Sequence, residues 1–290
     1  MKKKLVIATR GSKLALAQAY QVQNELDKLN VDTEILIVHT KGDKDRKSSL
    51  KDIGGDGLFV REIEKKLLTG EADIAVHSGK DLPYNLAEGL IIAGAPEAVD
   101  FRDCLISRKG ESELKVIGTG SPRRILEYKR MNADAEFKEI RGNITTRLRK
   151  LDEGGYDAVI LARAGLQRLD IDLSEYDVRD FSTTEMMPAG CQGIIAVECR
   201  EEDTDTVKAI RRITHKHSWK RFNAERQLFK MMEADCSMAV GIHSEIHGDE
   251  LVLSAMFEGE RSEKKGSYLN SDELCASIKK FLEVNYERNS

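Results

Sequence analysis

Short apolar runs alternate with amphipathic segments in the first part of the chain, and this alternation limits the possible folds more than any other feature. The runs over 4–9, 33–39 and 72–78 are rich in aliphatic residues. Between them, apolar residues recur at the helical period after Ser12 and again before Gly70. Serine is a favoured N-cap, and glycine commonly follows a helix. The pattern predicts parallel strands joined by helices that cover the faces of a sheet.

The same alternation repeats in a second segment. It predicts strands over 115–119, 136–141 and 156–162, and helices that begin at Ser121 and Asn143. Because each helix follows a strand directly, we expect a second sheet built in the same way as the first.

The pattern changes towards the end of the chain. The run GIIAVECR, 193–200, predicts a strand that crosses back to the first sheet. A helix then leads to two alternating strands over 239–246 and 251–257. A final helix is predicted to carry Leu274, Ile278, Phe281 and Leu282. These elements predict a small α+β unit.

A chain of 290 residues exceeds what a single core usually holds. We therefore predict an α/β protein with two α/β domains and a small C-terminal α+β domain. The expected boundaries are residues 1–95 with about 194–213 for domain 1, 96–193 for domain 2, and 214–290 for domain 3.

Charged residues are predicted to gather where strands end and helices begin. Arginine pairs stand at two such junctions, Arg123 with Arg124 and Arg141 with Arg147. Helix N-termini attract anions, and a guanidinium group binds a carboxylate or phosphate through two parallel hydrogen bonds. Ligands of α/β sheets lie beyond the carboxyl ends of the strands, where we expect Arg10, Lys80, Asp81, Arg123, Arg124 and Arg141. Since 33% of the residues are charged, plain solvated charge is the alternative; two pairs at two junctions favour a ligand with several negative charges.

Composition excludes several other classes. A net charge of −4 and 6% aromatic residues argue against a nucleic-acid-binding protein. The five cysteines form no CxxC pair, which argues against a disulfide framework and a zinc site, and we expect no metal. Arg10 and Lys13 interrupt the first apolar run too early for a signal peptide, and no run is long enough to span a membrane. A cytoplasmic location is expected.

Two places in the sequence suggest chemistry. The strand 72–78 ends at His77, Lys80 and Asp81. A carboxylate among arginines stays ionised and suits the stabilisation of a developing cation. The alternative is a structural Lys–Asp pair or a turn cap, and His77 is equally a core residue. Phe59 either packs over a ligand ring or belongs to the core.

The second place is a cysteine that could attach a ligand covalently. Cys236 lies in EADCSMAVG, between a predicted helix and a strand. Because a thiolate is a good nucleophile, a loop cysteine is a candidate for covalent attachment. Cys191, in PAGCQG, is the rival.

Several strings resemble those of the porphobilinogen deaminase family. They are IATRGSKLALAQA (7–19), GGDGLFVRE (54–62), ADIAVHSGKDLP (72–83), GTGSPRR (118–124), IRGNITTRL (140–148), YDAVILARAGLQRL (156–169), MPAGCQG (187–193) and ECR (198–200). They run in order along most of the chain, and the HSxKDxP-like and RGNxxTR-like strings are specific to this family.

The resemblance implies two domains like the lobes of periplasmic binding proteins and a third domain with a dipyrromethane cofactor on Cys236, in a thioether. It implies a hydroxymethylbilane synthase, a transferase of tetrapyrrole and heme biosynthesis. Four porphobilinogen molecules are condensed with loss of ammonia, and the linear tetrapyrrole is released by hydrolysis. The alternative is a non-catalytic two-lobed protein that binds an anionic small molecule. Porphobilinogen and the growing polypyrrole are the expected partners, without nucleic acid or membrane, and a monomer is expected.

The resemblance and the residue patterns together assign the candidate site. Catalytic roles are predicted for Asp81, Lys80 and Arg10. Cofactor binding is predicted for Cys236, Lys80, Asp81, Ser121, Arg123, Arg124, Arg141 and Gly142. Substrate binding is predicted for Arg10, Ser12, Phe59, His77, Arg141, Arg147, Arg168 and Gln192. The chain departs from the family pattern in its glycine-rich loop, where Asp52 and Asp56 replace lysines, and beside Cys236, where Ala234 and Asp235 stand.

Overall fold

The computed structural model describes residues 4–39, 57–83, 85–233 and 238–289, without the side chains of 57–59, 288 and 289. The side chain of Phe59, the loop with Asp52 and Asp56, and Cys236 with its neighbours lie outside the described residues. The chain divides into two compact units, Met1–Ala98 with Ile194–Phe222 and Val99–Gly193 with Asn223–Ser290. The predicted three-domain boundaries stay a prediction.

The first unit contains a five-stranded mixed sheet. Its strands are β1 (Leu5–Arg10), β2 (Thr33–Val38), β3 (Ile74–Ser78), β4 (Leu90–Gly94) and β10 (Ile195–Arg200), in the order β2-β1-β3-β10-β4. β1 is parallel to β2 and β3, as predicted. β10 does return to this sheet, but it runs antiparallel to both its neighbours. The prediction of a purely parallel sheet is therefore wrong, because β10 enters without the helical crossover that a parallel neighbour requires.

Helices cover this sheet. They are α1 (Lys13–Asp27), α2 (Gly57–Leu68) and α6 (Thr204–Arg212). Buried residues of α1 and α6, Val22 and Ile210 among them, pack with Ile7 of β1 in one core cluster. Residues of α2 such as Ile63 pack in a second cluster with Ala75 of β3. The two clusters hold the carboxyl ends of β1 and β3 side by side.

The second unit contains another five-stranded mixed sheet. Its strands are β5 (Asp103–Arg108), β6 (Val116–Gly118), β7 (Glu136–Lys138), β8 (Ala158–Ala162) and β9 (Tyr176–Asp180), in the order β7-β6-β8-β5-β9. β6 is parallel to β7 and β8, whereas β5 is antiparallel to β8 and β9. The predicted helices are α3 (Pro122–Met131) and α4 (Ile144–Asp152), followed by a short α5 (Arg163–Arg168).

The same unit ends in a three-stranded antiparallel sheet. It consists of β11 (Val240–His247), β12 (Glu250–Phe257) and β13 (Glu260–Ser267). The sheet packs with α8 (Ser271–Asn289) and with the part of α7 (Lys216–Met231) that follows Phe222. Among the apolar residues of α8, Ile278 and Leu282 are buried, whereas Phe281 is 44% exposed. Within the described ranges, no helix is both long and apolar enough to cross a bilayer.

Candidate functional site

In the first unit, the candidate residues lie at the carboxyl ends of two adjacent parallel strands. Arg10 is the last residue of β1, and Ser12 caps α1 by accepting the Ala15 N–H at 3.2 Å. β3 leads into a 3-10 turn, Gly79–Asp81, in which Lys80 is half-buried and Asp81 is exposed. The sequence prediction that these strand ends come together is confirmed by the pairing of β1 with β3.

A side-chain hydrogen bond connects helix α1, which follows β1, to the end of β3. Gln18 of α1 is 3% exposed, and its Nε2 donates to Ser78 Oγ at 2.8 Å. The Gly79 N–H donates to the Ile194 carbonyl at 2.8 Å and fixes the start of the turn. The turn with Lys80 and Asp81 is thus held from two sides.

His77 faces a buried carboxylate. Its Nε2 lies 2.9 Å from Glu198 Oε2, and the two residues are 7% and 0% exposed. A second buried carboxyl, Glu64, interacts electrostatically with both, and its pKa is raised chiefly by burial. The geometry gives His77 a protein partner, while its contact with substrate stays a prediction.

In the second unit, Arg123 and Arg124 begin α3 and share one carboxylate. Asp103 Oδ2 lies 2.7 Å from Arg123 Nη1, and Asp103 Oδ1 lies 2.7 Å from Arg124 Nη2. All three residues are buried. Arg124 Nη1 also donates to the Ile160 carbonyl at 2.9 Å. Two guanidinium groups against one carboxylate leave one positive charge in this cluster.

Gln192 joins the same cluster. It is 1% exposed, and its Nε2 donates to the Phe101 carbonyl at 2.7 Å and to Asp103 Oδ1 at 3.2 Å. Ser121 caps α3 through the Arg124 N–H. These contacts show how the loops around the cluster are held in place.

The second junction is more exposed. Asn143 caps α4, and Gly142 precedes it with a φ of +111° that favours glycine. Arg141 donates from Nε to Glu139 Oε1 at 2.7 Å on the surface. Arg147 Nε donates to the Gly142 carbonyl at 2.8 Å. Burial, and then the neighbouring guanidinium of the first junction, lower the pKa of Arg147 to about 10.

Arg168 is the last residue of α5 and, like Arg147, is half-buried. Its Nη2 donates to the Gly193 carbonyl at 2.7 Å, and its Nε is buried without a hydrogen-bond partner among the described residues. Burial lowers the pKa of Arg168 to about 10. In the part of the chain that the structure describes, neither Arg147 nor Arg168 has a carboxylate partner.

The described cysteines are buried thiols that are not joined in disulfides: Cys104, Cys191, Cys199 and Cys275. Burial raises the pKa of the Cys104, Cys199 and Cys275 thiols to about 12. Cys191, the rival attachment point, is 4% exposed and therefore poorly placed to react with a ligand. Cys236 lies outside the described residues.

Sequence reasoning missed three buried polar residues that hold the site residues: Asp103, Gln18 and Glu198. Asp103 and Glu198 lie in the strand segments DCLISR and IAVECR, where an acidic residue among apolar neighbours is a usable signal of a buried ion pair. Gln18 carries no comparable signal, because a glutamine on a helix is ordinarily solvated.

Known proteins provide an independent comparison. A family model described as "Porphobilinogen deaminase, dipyromethane cofactor binding domain" matches residues 5–208. A porphobilinogen deaminase of Streptococcus sanguinis is 39% identical over 267 residues, which cover 89% of this chain and 87% of that protein. One of Lysinibacillus sphaericus is 40% identical over 263 residues, with 88% and 84% covered.

Among solved structures, a putative methionine-binding lipoprotein of Bacillus subtilis aligns with 76% of this chain and 94% of its own, at 15% identity and a TM-score of 0.44. That likeness is too weak to support a conclusion. The fold and its strand ends define an α/β protein that gathers arginines at the carboxyl ends of its strands. The chain belongs to the porphobilinogen deaminase family, and the family predicted from the sequence is confirmed.

Proposed function

We propose that this chain catalyses the hydroxymethylbilane synthase reaction. Four porphobilinogen molecules are joined head to tail on a dipyrromethane primer with loss of four ammonia molecules, and water releases the linear tetrapyrrole. Family membership supports the reaction, its transferase class and the cofactor. The cofactor, when bound, supplies the pyrrole carbon that attacks the first substrate and the covalent anchor for the product.

One observation favours this ligand chemistry above the others. Arg147 and Arg168 have lowered pKa values because burial disfavours their charge, and no described carboxylate compensates either of them. A pyrrole unit with an acetate and a propionate would supply the missing negative charge, in the bidentate geometry that guanidinium groups prefer. The residues of the second unit therefore fit a polyanionic cofactor and product.

The second-unit residues have proposed binding roles. Arg123, Arg124 and Gln192 form a buried cluster in which two guanidinium groups share one carboxylate, and this excess of positive charge favours a nearby anion. Arg141 and the N–H of Gly142 lie at the N-terminus of α4, where the helix dipole adds to the attraction. We assign cofactor carboxylates to Ser121, Arg123, Arg124, Arg141 and Gly142. We assign substrate or chain carboxylates to Arg141, Arg147, Arg168 and Gln192.

The first-unit residues have proposed catalytic roles. Asp81 is exposed at the end of a fixed turn, beside the carboxyl end of β1. Loss of ammonia from the aminomethyl group of porphobilinogen leaves a delocalised cation, which an adjacent carboxylate stabilises. Lys80 and Arg10 stand at the same strand ends; Lys80 is proposed to contact the cofactor together with Asp81, and Arg10 to bind substrate carboxylates together with Ser12. Contacts of Phe59 and His77 with substrate stay predictions.

The test is the mass of the intact protein before and after porphobilinogen is added. The purified protein should weigh more than its amino acids by one dipyrromethane group, and substrate should add further pyrrole units. After unfolding, an alkylating reagent should label Cys104, Cys191, Cys199 and Cys275 and leave Cys236 unlabelled. An active protein with the bare polypeptide mass and a reactive Cys236 contradicts the covalent assignment.

The alternative of a non-catalytic binding protein gives a different result. Such a protein would take up porphobilinogen without releasing ammonia or gaining covalent mass. A monomeric state and a cytoplasmic location stay predictions; sedimentation of the purified protein and fractionation of cells test them.

A further inference from the structure

We propose that Glu225 is a positioning residue for the anion-binding groups of the second unit. It acts through the segment 187–193, called here the 187–193 loop. The proposal rests on the function proposed above for its activity readout. It is carried by hydrogen bonds that lie entirely within the second unit.

The 187–193 loop binds two of the candidate binding residues and contains a third. Arg123 Nη1 donates to the Met187 carbonyl at 2.5 Å, and Arg168 Nη2 donates to the Gly193 carbonyl at 2.7 Å. The third, Gln192, is itself a loop residue and reaches the buried arginine cluster through its side chain. A displacement of this loop would therefore move both guanidinium groups and the amide together.

Glu225 binds the middle of this loop. It lies on α7 and is 1% exposed. Its Oε2 accepts the Cys191 N–H at 2.6 Å, while its Oε1 accepts the Ser244 N–H at 3.0 Å and the Ser244 Oγ–H at 2.8 Å. One carboxylate thus connects α7, the loop and strand β11.

The loop backbone requires such support. Cys191 has a φ of +61° and Gly193 a φ of +84°, both in the left-handed region, which is costly for a residue other than glycine. A Cβ at Gly193 would lie 2.5 Å from the Val99 carbonyl oxygen, so the chain has little room to rearrange. The Ile242 N–H donates to the Pro188 carbonyl at 2.9 Å and fixes one end of the loop. Glu225 fixes the middle of the loop, at Cys191.

Only a carboxylate satisfies all of these donors. The N–H groups of Cys191 and Ser244 approach different oxygens of Glu225, and both oxygens accept. A glutamine has one acceptor oxygen and a donor NH2 group. Glu225→Gln therefore places NH2 against a donor N–H on one side, whichever way the amide is turned.

The decisive comparison is between Glu225→Gln and Glu263→Gln. Glu263 lies in β13 and accepts from Ser254 Oγ at 2.8 Å, so its substitution makes the same chemical change in the same unit away from the loop. For each variant, kcat and KM for porphobilinogen are measured per folded, cofactor-bearing molecule, with that fraction taken from intact mass and thermal unfolding. We expect Glu225→Gln to lower kcat/KM about tenfold, mainly through KM, because misplaced binding groups commonly cost one to two orders of magnitude. Glu263→Gln should match the wild type.

A second variant keeps the test decisive if Glu225→Gln does not fold. Ser244→Ala removes one of the donors and leaves both backbone N–H groups, and it should lower kcat/KM about threefold in the same direction. A loss of unfolding temperature with unchanged kcat and KM per active molecule, in whichever of the two variants folds, overturns the positioning role. A wild-type protein without added mass or turnover would instead contradict the proposed function.

Discussion

The two strand-to-helix junctions of the second unit look alike in sequence and differ in how their charge is balanced. Each has a polar N-cap, Ser121 or Asn143, and each has arginines in or beside the first turn of the helix. At the first junction, Arg123 and Arg124 are buried against Asp103. At the second, no described carboxylate compensates Arg147.

This difference separates Arg123 and Arg124, whose charge a buried carboxylate of the protein compensates, from Arg147, whose charge no described carboxylate compensates. A buried guanidinium with a carboxylate partner has its desolvation cost offset within the protein. A half-buried guanidinium without one gains its compensating charge only when an anion binds. The comparison therefore predicts that substitutions at the first junction lower folding stability as well as cofactor binding, whereas substitution of Arg147 acts mainly on binding.

The largest expected effect is at Asp103. Asp103→Asn leaves two buried guanidinium groups without their counter-charge, and we expect the free energy of unfolding to fall by about 3–5 kcal/mol. Glu139→Gln, which removes the exposed partner of Arg141, should cost about 0–1 kcal/mol. Guanidinium chloride titration measures both. Equal losses in the two variants would remove the distinction between the junctions.

Next in size is the exposed carboxylate of the first unit. Asp81→Asn keeps the shape and removes the charge, so turnover should fall about 10²–10³-fold, which corresponds to about 3–4 kcal/mol in the barrier. The unfolding temperature should not change, because the side chain is exposed. Asp134→Asn, an exposed aspartate of the second unit, is the control. Wild-type turnover in Asp81→Asn would refute its catalytic role.

A smaller effect is expected at the second junction. Arg147→Leu removes one carboxylate contact, and KM for porphobilinogen should rise about tenfold, with intermediates of one chain length accumulating in the mass spectrum. Arg149→Leu is a matched control on the same helix, since Arg149 already pairs with Glu153 on the surface. If both variants lose affinity equally, the missing carboxylate has no bearing on binding.

The smallest expected effect is the pH dependence of the stability change caused by Arg147→Leu. Because the folded state lowers the pKa of Arg147 to about 10, burying its charge opposes folding below pH 10. That opposition is relieved as pH rises from about 10 towards the higher pKa of an ordinary arginine. Without ligand, Arg147→Leu should therefore unfold at a slightly higher temperature than the wild type at pH 7.5, and this advantage should narrow at pH 10.5. An advantage that grows with pH contradicts the assigned direction.

Much of the fold could be predicted because local patterns agreed with the tertiary structure. The helix capped by Ser12, the helices that begin after Ser121 and Asn143, and the return of β10 to the first sheet were all readable from apolar periodicity. β13 was not predicted, because its sequence ERSEKKGS is polar and is recruited by pairing with β12. β7 is shorter than predicted, since only Glu136–Lys138 pairs with β6.

The sequence by itself determined the family, the α/β class and the gathering of charged residues at strand ends, because these depend on short motifs and on periodicity along the chain. Only the tertiary structure decided which of those charges are compensated. Asp103 and Glu225 are distant in sequence from the groups they hold, at separations of 21 residues from Arg124 and 34 from Cys191. Electrostatic balance depends on distance and burial in space, and neither is written in the local pattern.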